Sequence, residues 1–313
     1  MRERVTSTAE TAVRASVDDD APIQPHCDGL GQARVVPVLL YHSVSAEPSQ
    51  GARFAVSPAM FEAHVCAIES SGLTTVRIDD LAGAMRGEKA LPDRVVVVTF
   101  DDGFADNYDA VLSLARRRLG STVYIATGTL GTADRLASSQ VVELAGMPGV
   151  ELGAHTVNHP YLDELNDREI GAEVSASRRQ LEDLVQRPVR SFAYPHGAHD
   201  GRVRQLVIDA GYRSAVAVKN AVSHLGDDPF AIARWTVTAE TTASRIAEVL
   251  EGEHVPRAWS GERLRTRAYR TFRRTRRRVW APLAGADVNS DGRVATGDSR
   301  SAGGPGVDTA GAS

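Results

Sequence analysis

Residues 94–100 read Arg-Val-Val-Val-Val-Thr-Phe, and this run constrains the fold more than any other stretch. A strand that is apolar and β-branched at nearly every position needs cover on both faces, which is the situation of a central strand in a parallel sheet. Comparable runs of strand length recur at 35–41, 121–126, 150–154, 189–194, 214–218 and 235–237. Helical patterns lie between them. Ser57-Pro58 is a helix start, with Phe61, Val65 and Ile68 on one face and Gly72 as the stop. Residues 107–119 place Val111, Leu112, Leu114 and Ala115 inward, and 141–145 form a short helix. Asn166 followed by Glu169 is a capping box that opens a long helix through Val185, ended before Pro188. Residues 203–210 and 243–250 supply the last helices. Strand and helix alternating at this spacing predict an α/β fold, a parallel sheet closed or nearly closed into a (β/α) barrel.

The barrel is expected to occupy residues 34–257 of the 313. Residues 1–33 are polar and aperiodic, an expected disordered leader. Their first twenty positions hold no apolar run of the length of a signal-peptide core or membrane span. The expected location is therefore cytoplasmic, with the periphery of the membrane second and an extracellular site left open. Two cysteines, Cys27 and Cys66, are too few for a disulfide framework and lack metal-site spacing; Cys66 is expected to be a buried small residue. The net charge of −4, from 40 acids against 36 bases, points to no particular partner.

Three segments stand at predicted strand ends, where barrels of this kind collect their chemistry. In Thr99-Phe100-Asp101-Asp102-Gly103, two carboxylates close an apolar strand, a costly placement without a positive partner. Alternation along an extended chain would send the two carboxylates in opposite directions and give them different tasks. In His155-Thr156-Val157-Asn158-His159, two imidazoles four residues apart can meet across one turn and share a metal. In Phe192-Ala193-Tyr194-Pro195-His196-Gly197, a strand stops at a rigid turn that can aim a backbone N–H at a developing oxyanion.

In this order the three segments closely resemble the polysaccharide deacetylases that share the NodB-type domain, carbohydrate esterase family 4. The resemblance covers about residues 35–250 and implies a distorted (β/α) barrel. It implies one divalent metal ion, zinc first, with cobalt, nickel or iron as substitutes. Carried over by position, Asp102, His155 and His159 resemble its ligands and Asp101 the general base, while the turn at Tyr194, Pro195 and His196 resembles the substrate and oxyanion region. One carboxylate and two imidazoles leave coordination positions open for water and an acetyl oxygen.

Two departures from the common pattern matter. Residues 246–250 read Ile-Ala-Glu-Val-Leu, so the late Leu-x-x-His that supplies a general acid in many relatives is absent there. The poly-N-acetylglucosamine branch instead resembles this chain at Leu40-Tyr41-His42, which makes His42 the candidate acid. Ala193 stands where many relatives carry the Arg that orients the base. Arg234 could reach Asp101 from a late strand, with Arg190 as a weaker substitute. His196, His199 and His224 are expected at the rim or surface, although Tyr194 and His196 could line a sugar pocket. Trp235 is expected in core packing, with stacking on a sugar as the other reading.

Residues 258–281 form an Arg-rich segment in which the arginines from Arg263 to Arg278 are interleaved with Leu264, Tyr269, Phe272, Val279 and Trp280. An anionic membrane surface or anionic glycan is the partner this chemistry suits; no nucleic acid is expected. Residues 282–313 form an expected disordered tail. Within it Asp287, Asn289, Asp291 and Asp298, with Gly292, have EF-hand spacing and look like one dockerin repeat, a secondary reading that would add a calcium ion. A dockerin carries two such repeats, and Gly303-Gly304-Pro305 opposes a following helix.

The function expected is metal-dependent removal of N-acetyl groups from N-acetylhexosamine-containing glycans or glycoconjugates, with Asp101 as base. A related amidase or O-acetyl esterase on a non-polymeric substrate is the rival within enzymes. A catalytically silent glycan- or membrane-binding barrel is the rival outside them. The sequence leaves the oligomeric state open.

Overall fold

The structure, a computed structural model, describes residues 35–47 and 52–258 and the single position Thr275. The expected leader, nearly all of the Arg-rich segment, the calcium-type loop and Cys27 lie outside the described residues.

Seven parallel strands form a closed ring. In chain order they are β1 (Val38–Tyr41), β2 (Val95–Phe100), β3 (Ser121–Ile125), β4 (Val150–Ala154), β5 (Ser191–Ala193), β6 (Ser214–Val218) and β7 (Ile232–Thr236). Each pairs with its successor, and β7 closes the ring on β1, with Trp235 opposite Leu39 and Thr236 opposite Leu40. A two-residue strand, Thr74–Thr75, adds to the start of β2. This is the predicted (β/α) barrel, distorted by its odd strand number. Among the described residues no helix is long and apolar enough to cross a membrane.

The side chains sort by the two-residue period of a strand. One set, Val38, Val95, Val97, Tyr124, Ala193, Val216 and Ile232, fills the inside of the ring. The alternate set, including Leu39, Val96, Val98, Phe100, Val123, Phe192 and Ala215, packs outward against the helices. All six residues of β2 are buried, as a run covered on both faces requires. Gly153 on β4 makes the interior arrangement sterically feasible. A Cβ there would come within 2.4 Å of the Tyr124 ring, so a side chain at 153 and the tyrosine exclude one another.

Helices α1 (Pro58–Ser70), α2 (Ile78–Met85), α3 (Asn107–Arg116), α4 (Ser138–Gly146), α5 (Asp167–Val185), α6 (Gly201–Asp209) and α7 (Ala243–Leu250) complete the described fold. The caps follow the sequence signals. Ser57 accepts from the Met60 amide. Asn166 and Glu169 cap each other's backbones at 3.0 and 2.9 Å. α5 ends on Gln186 at φ 52°, just before Pro188.

Four details differ from expectation. The run 35–41 is interrupted at Pro37, which has no N–H to donate; its carbonyl accepts from Val97 instead, and Val35–Val36 turns away to pair antiparallel with Ser223–His224. Helix α2 was not expected, because eight residues opening on two aspartates show too few turns for a periodic signal. It packs Ile78 and Leu81 with the interior set and so plugs the lower end of the ring. The last barrel strand begins at Ile232, three residues before the predicted 235. Cys66 is exposed, not buried. The inward face of α1 is Phe61, His64, Val65 and Ile68, and the next position after Val65 turns about 100° away from it.

Candidate active site

The C-terminal ends of β1, β2, β4 and β5 converge on one mouth. Asp101 continues the ladder of β2, its amide donating to Tyr41 at 3.0 Å. Asp102 then leaves the extended conformation, at φ 70°. This single left-handed residue overturns the expectation that the two carboxylates diverge. Asp101 Oδ2 and Asp102 Oδ1 lie 3.8 and 3.4 Å from the same atom, His155 Nε2.

His155 is set just beyond β4, its amide bonded to Ile125. The chain reverses through Thr156 and His159, at φ 65° and 56°, with the His159 amide on Thr156 Oγ1. Glu173 on α5 accepts from the amides of Val157 and Asn158 and from the Asn158 side chain. A helix carboxylate thus clamps the turn that returns His159 to His155.

Asp102 Oδ1, His155 Nε2 and His159 Nε2 form a near-equilateral triangle with edges of 3.1, 3.2 and 3.4 Å. Ligands about 2.0–2.1 Å from one tetrahedral cation stand roughly 3.3–3.4 Å apart. His155 Nδ1 lies 2.8 Å from the Ala193 carbonyl; donation there leaves the Nε2 lone pair facing the triangle. Burial and the neighbouring His155 push the His159 ring down to about 4, which keeps it neutral. Burial lowers the His155 pKa as well, but Asp101 and Asp102 outweigh it and hold that ring above its ordinary value. Burial disfavours ionised Asp102, yet the two imidazoles hold its carboxyl far below the usual range. Carboxylate, neutral imidazole and a second lone pair in one triangle fit a divalent ion.

Asp101 is buried, and the fully buried Arg234 on β7 grips it with both ends of its fork: Nη1 to Oδ1 at 2.6 Å and Nη2 to Oδ2 at 2.7 Å. Burial alone would raise the Asp101 pKa; Arg234 and His155 reverse that and hold it below the ordinary carboxylate value. The guanidinium also lies 5.4 Å over the Tyr124 ring and donates to Thr99. Ala193 packs in the same interior set as Tyr124. The place where many relatives carry an arginine is therefore a buried methyl, and the guanidinium arrives from another strand. Arg190 does not reach the mouth. It precedes β5, at the opposite end of the ring, and pairs with Asp79 at 3.4 Å.

His42 follows β1. Its carbonyl accepts from Asn107 at 2.6 Å, and Asp106 accepts from Ser43 and the Val44 amide, so the start of α3 fixes this turn. The ring tilts against Phe54 at 5.1 Å, and its buried Nδ1 has no hydrogen-bond partner. Burial pushes its pKa down; Asp101 and Asp102 oppose this without reversing it.

The third segment needs correction at one residue. Tyr194 is fully buried, its ring stacked on His199 at 4.2 Å, its hydroxyl on the Phe230 carbonyl and its amide on Val216. Pinned on every side, it offers the mouth neither ring nor N–H. Pro195 is buried too, whereas His196 is exposed at φ 58°. Its ring meets His159 edge-on at 4.4 Å and stacks on Tyr161 at 3.8 Å. His224 pairs with Asp227 beside the Val35–Val36 strand, away from the mouth. Trp235 packs against the outer core with Arg245 over its ring.

Beside the triangle opens a cleft of about 260 Å³, lined by His42, Asp102 and His159 and also by Phe54, Phe104 and Arg135. The last three, like Tyr161, carry no local sequence signal; only the meeting of distant loops brings them to the site.

Residues 88–215 match the family model described as polysaccharide deacetylase. The Bacillus subtilis (strain 168) protein YxkH is 24% identical over 217 residues, 69% of this chain and 76% of its own length. The poly-beta-1,6-N-acetyl-D-glucosamine N-deacetylase of Escherichia coli (strain K12) is 27% identical over 39% of this chain, a match that spans 21% of that enzyme. The solved Streptococcus pyogenes deacetylase PplD, in complex with acetate, superposes with a TM-score of 0.65 at 20% identity, covering 70% of this chain and 99% of its own; at that identity it speaks for the fold. Barrel, motif segments and family match agree: residues 88–215 carry a polysaccharide deacetylase domain, the domain of hydrolases that act on amide carbon–nitrogen bonds.

Proposed function

We propose that this protein hydrolyses the acetamide of N-acetylhexosamine units in a glycan or glycoconjugate, using one divalent metal ion held by Asp102, His155 and His159. The observation that carries the reading is the two-pronged Arg234–Asp101 pair beside the triangle of ligand atoms. When bound, the ion would supply Lewis-acid polarisation of the amide carbonyl and acidify the attacking water.

The side chains account for the protons. Asp101, kept ionised and aimed by Arg234, takes the proton of the attacking water at Oδ2, the oxygen nearer His155. His42, whose buried ring favours the neutral form and must first take up a proton, delivers that proton to the departing amine nitrogen as the C–N bond breaks. Water is thereby divided between acetate and amine. At the left-handed turn the Gly197 and Ala198 amides donate to Tyr194 and Pro195, which leaves the His196 N–H as the backbone donor for the developing oxyanion. Tyr161 and His196, stacked at the rim, present a flat surface to a sugar face.

The test is acetate release from monomeric, polymeric and lipid-linked N-acetyl sugars after chelation and after addition of zinc, cobalt, nickel or iron. Activity lost on chelation and restored by metal is the expected result. Purified protein that retains no divalent metal, with Asp102→Ala changing nothing in that measurement, would sink the proposal.

A further inference from the structure

Proton transfer and metal binding leave one cation in the cleft unused. The Arg135 guanidinium lies over the Phe104 ring, Cζ 4.0 Å from the centroid. Nη1 donates to its neighbour's carbonyl, Asp134 O, at 3.3 Å. Leu136 N donates to Gly103 O at 2.9 Å and Ala105 N to Asp134 O at 3.0 Å, so the segment carrying Arg135 is laced to the loop that follows Asp101 and Asp102. Arg135 is thus fixed on the wall facing the triangle.

Its Nε is buried and has no hydrogen-bond partner, and among the described residues no carboxylate pairs with it. Arg234, the other guanidinium at this mouth, has both prongs filled by Asp101. A desolvated N–H without an acceptor is costly and rare, and such costs persist where a ligand relieves them. Phe104 covers one face of the guanidinium and the residue lines the cleft, so its edge is the part that can turn to a ligand. That edge matches two oxygens of a carboxylate or phosphoryl group.

We propose that Arg135 is a specificity residue that binds an anionic oxygen group on the sugar unit entering the cleft. The preferred substrate is then an N-acetylated sugar bearing, or adjoining, a carboxylate or phosphoryl substituent, rather than a neutral homopolymer. The inference rests on the deacetylase reading and narrows its substrate class.

The experiment measures kcat/KM for acetate release by the metal-loaded protein on three probes. They are an N-acetylglucosamine tetramer, a tetramer alternating it with N-acetylmuramic acid, and an N-acetylglucosamine oligomer carrying a phosphodiester. At least one acidic probe should exceed the neutral one by about tenfold or more, and which one does so identifies the anion. Arg135→Gln should lower that probe about 10- to 100-fold and the neutral one little. Arg135→Lys should keep part of the preference, because the charge remains and the fork is lost. Equal rates on neutral and acidic probes, or a Gln variant that slows all probes alike, would overturn the inference and assign Arg135 to holding Phe104. Acetate release from none of the probes would defeat the deacetylase reading, and this inference with it.

Discussion

At the scale of single residues, Asp101, the proposed base, and Arg234 form a unit. Asp101→Asn preserves shape and the metal ligands while removing the proton acceptor. Turnover should fall about 10²- to 10⁴-fold with metal content unchanged, measured by acetate release alongside elemental analysis. Arg234→Met leaves the buried Asp101 carboxylate without its partner. Beyond loss of turnover, it should destabilise the fold by about 3–5 kcal/mol in denaturant titration, because an unpaired charge remains in the ring. His42→Ala should slow turnover and leave metal in place; an unaffected rate would remove His42 from the proton path. The four residues Asp101, Asp102, His155 and His159 were legible in the sequence because each pair sits within a few positions at a strand end. Their convergence was not fully legible. The left-handed turn at Asp102 cancels the alternation that a strand pattern predicts. Arg234 could be named only as a candidate, since its contact with Asp101 spans 133 positions. Arg135 left no trace at all, because its place in the cleft wall comes from the meeting of two loops.

At the scale of elements, capping chemistry and apolar runs gave most boundaries, and the misses are short pieces defined by tertiary contact. Helix α2 is the example. It sits under the ring, with the Asp79 amide and the Thr122 hydroxyl both donating to Glu151 Oε2 while Oε1 is buried without a partner. Burial pushes the Glu151 carboxyl up to about 7, against an ordinary 4.5. A carboxyl whose pKa rises on folding stabilises the protein fully below its unfolded value and loses that contribution as pH climbs to the folded one. Between pH 4.5 and 7 stability should therefore decline by up to about 1.4 kcal/mol per pH unit from this group. Glu151→Gln should flatten that slope in pH-dependent unfolding; an unchanged slope would show that Glu151 is ionised at the base of the ring. Gly153→Ala is a second test at this scale. Its methyl would fall within 2.4 Å of the Tyr124 ring, so a loss of about 1–3 kcal/mol is expected, relieved when Tyr124 is also reduced in size.

For the whole molecule, a cation that binds the folded ring and not the unfolded chain stabilises by mass action. Chelation should lower the unfolding midpoint, and zinc at a hundred times its Kd should restore about 2.7 kcal/mol. Asp102→Ala should abolish the difference, read by calorimetry with and without metal. The barrel itself was legible as alternation of strand and helix, whereas its seven-strand closure depended on register that no local pattern encodes. That closure has a consequence for the order of events during synthesis. β1 lies between β2, which ends at the aspartates, and β7, which carries Arg234. Every candidate ligand atom of the triangle has been synthesised once His159 has been added, but the group that aims Asp101 belongs to the last barrel strand to be made. A nascent chain could gather its ligands early and still be chemically silent. On the proposed mechanism, hydrolytic competence would arrive only when β7 docks and the ring shuts, so the final act of folding would also switch the catalyst on.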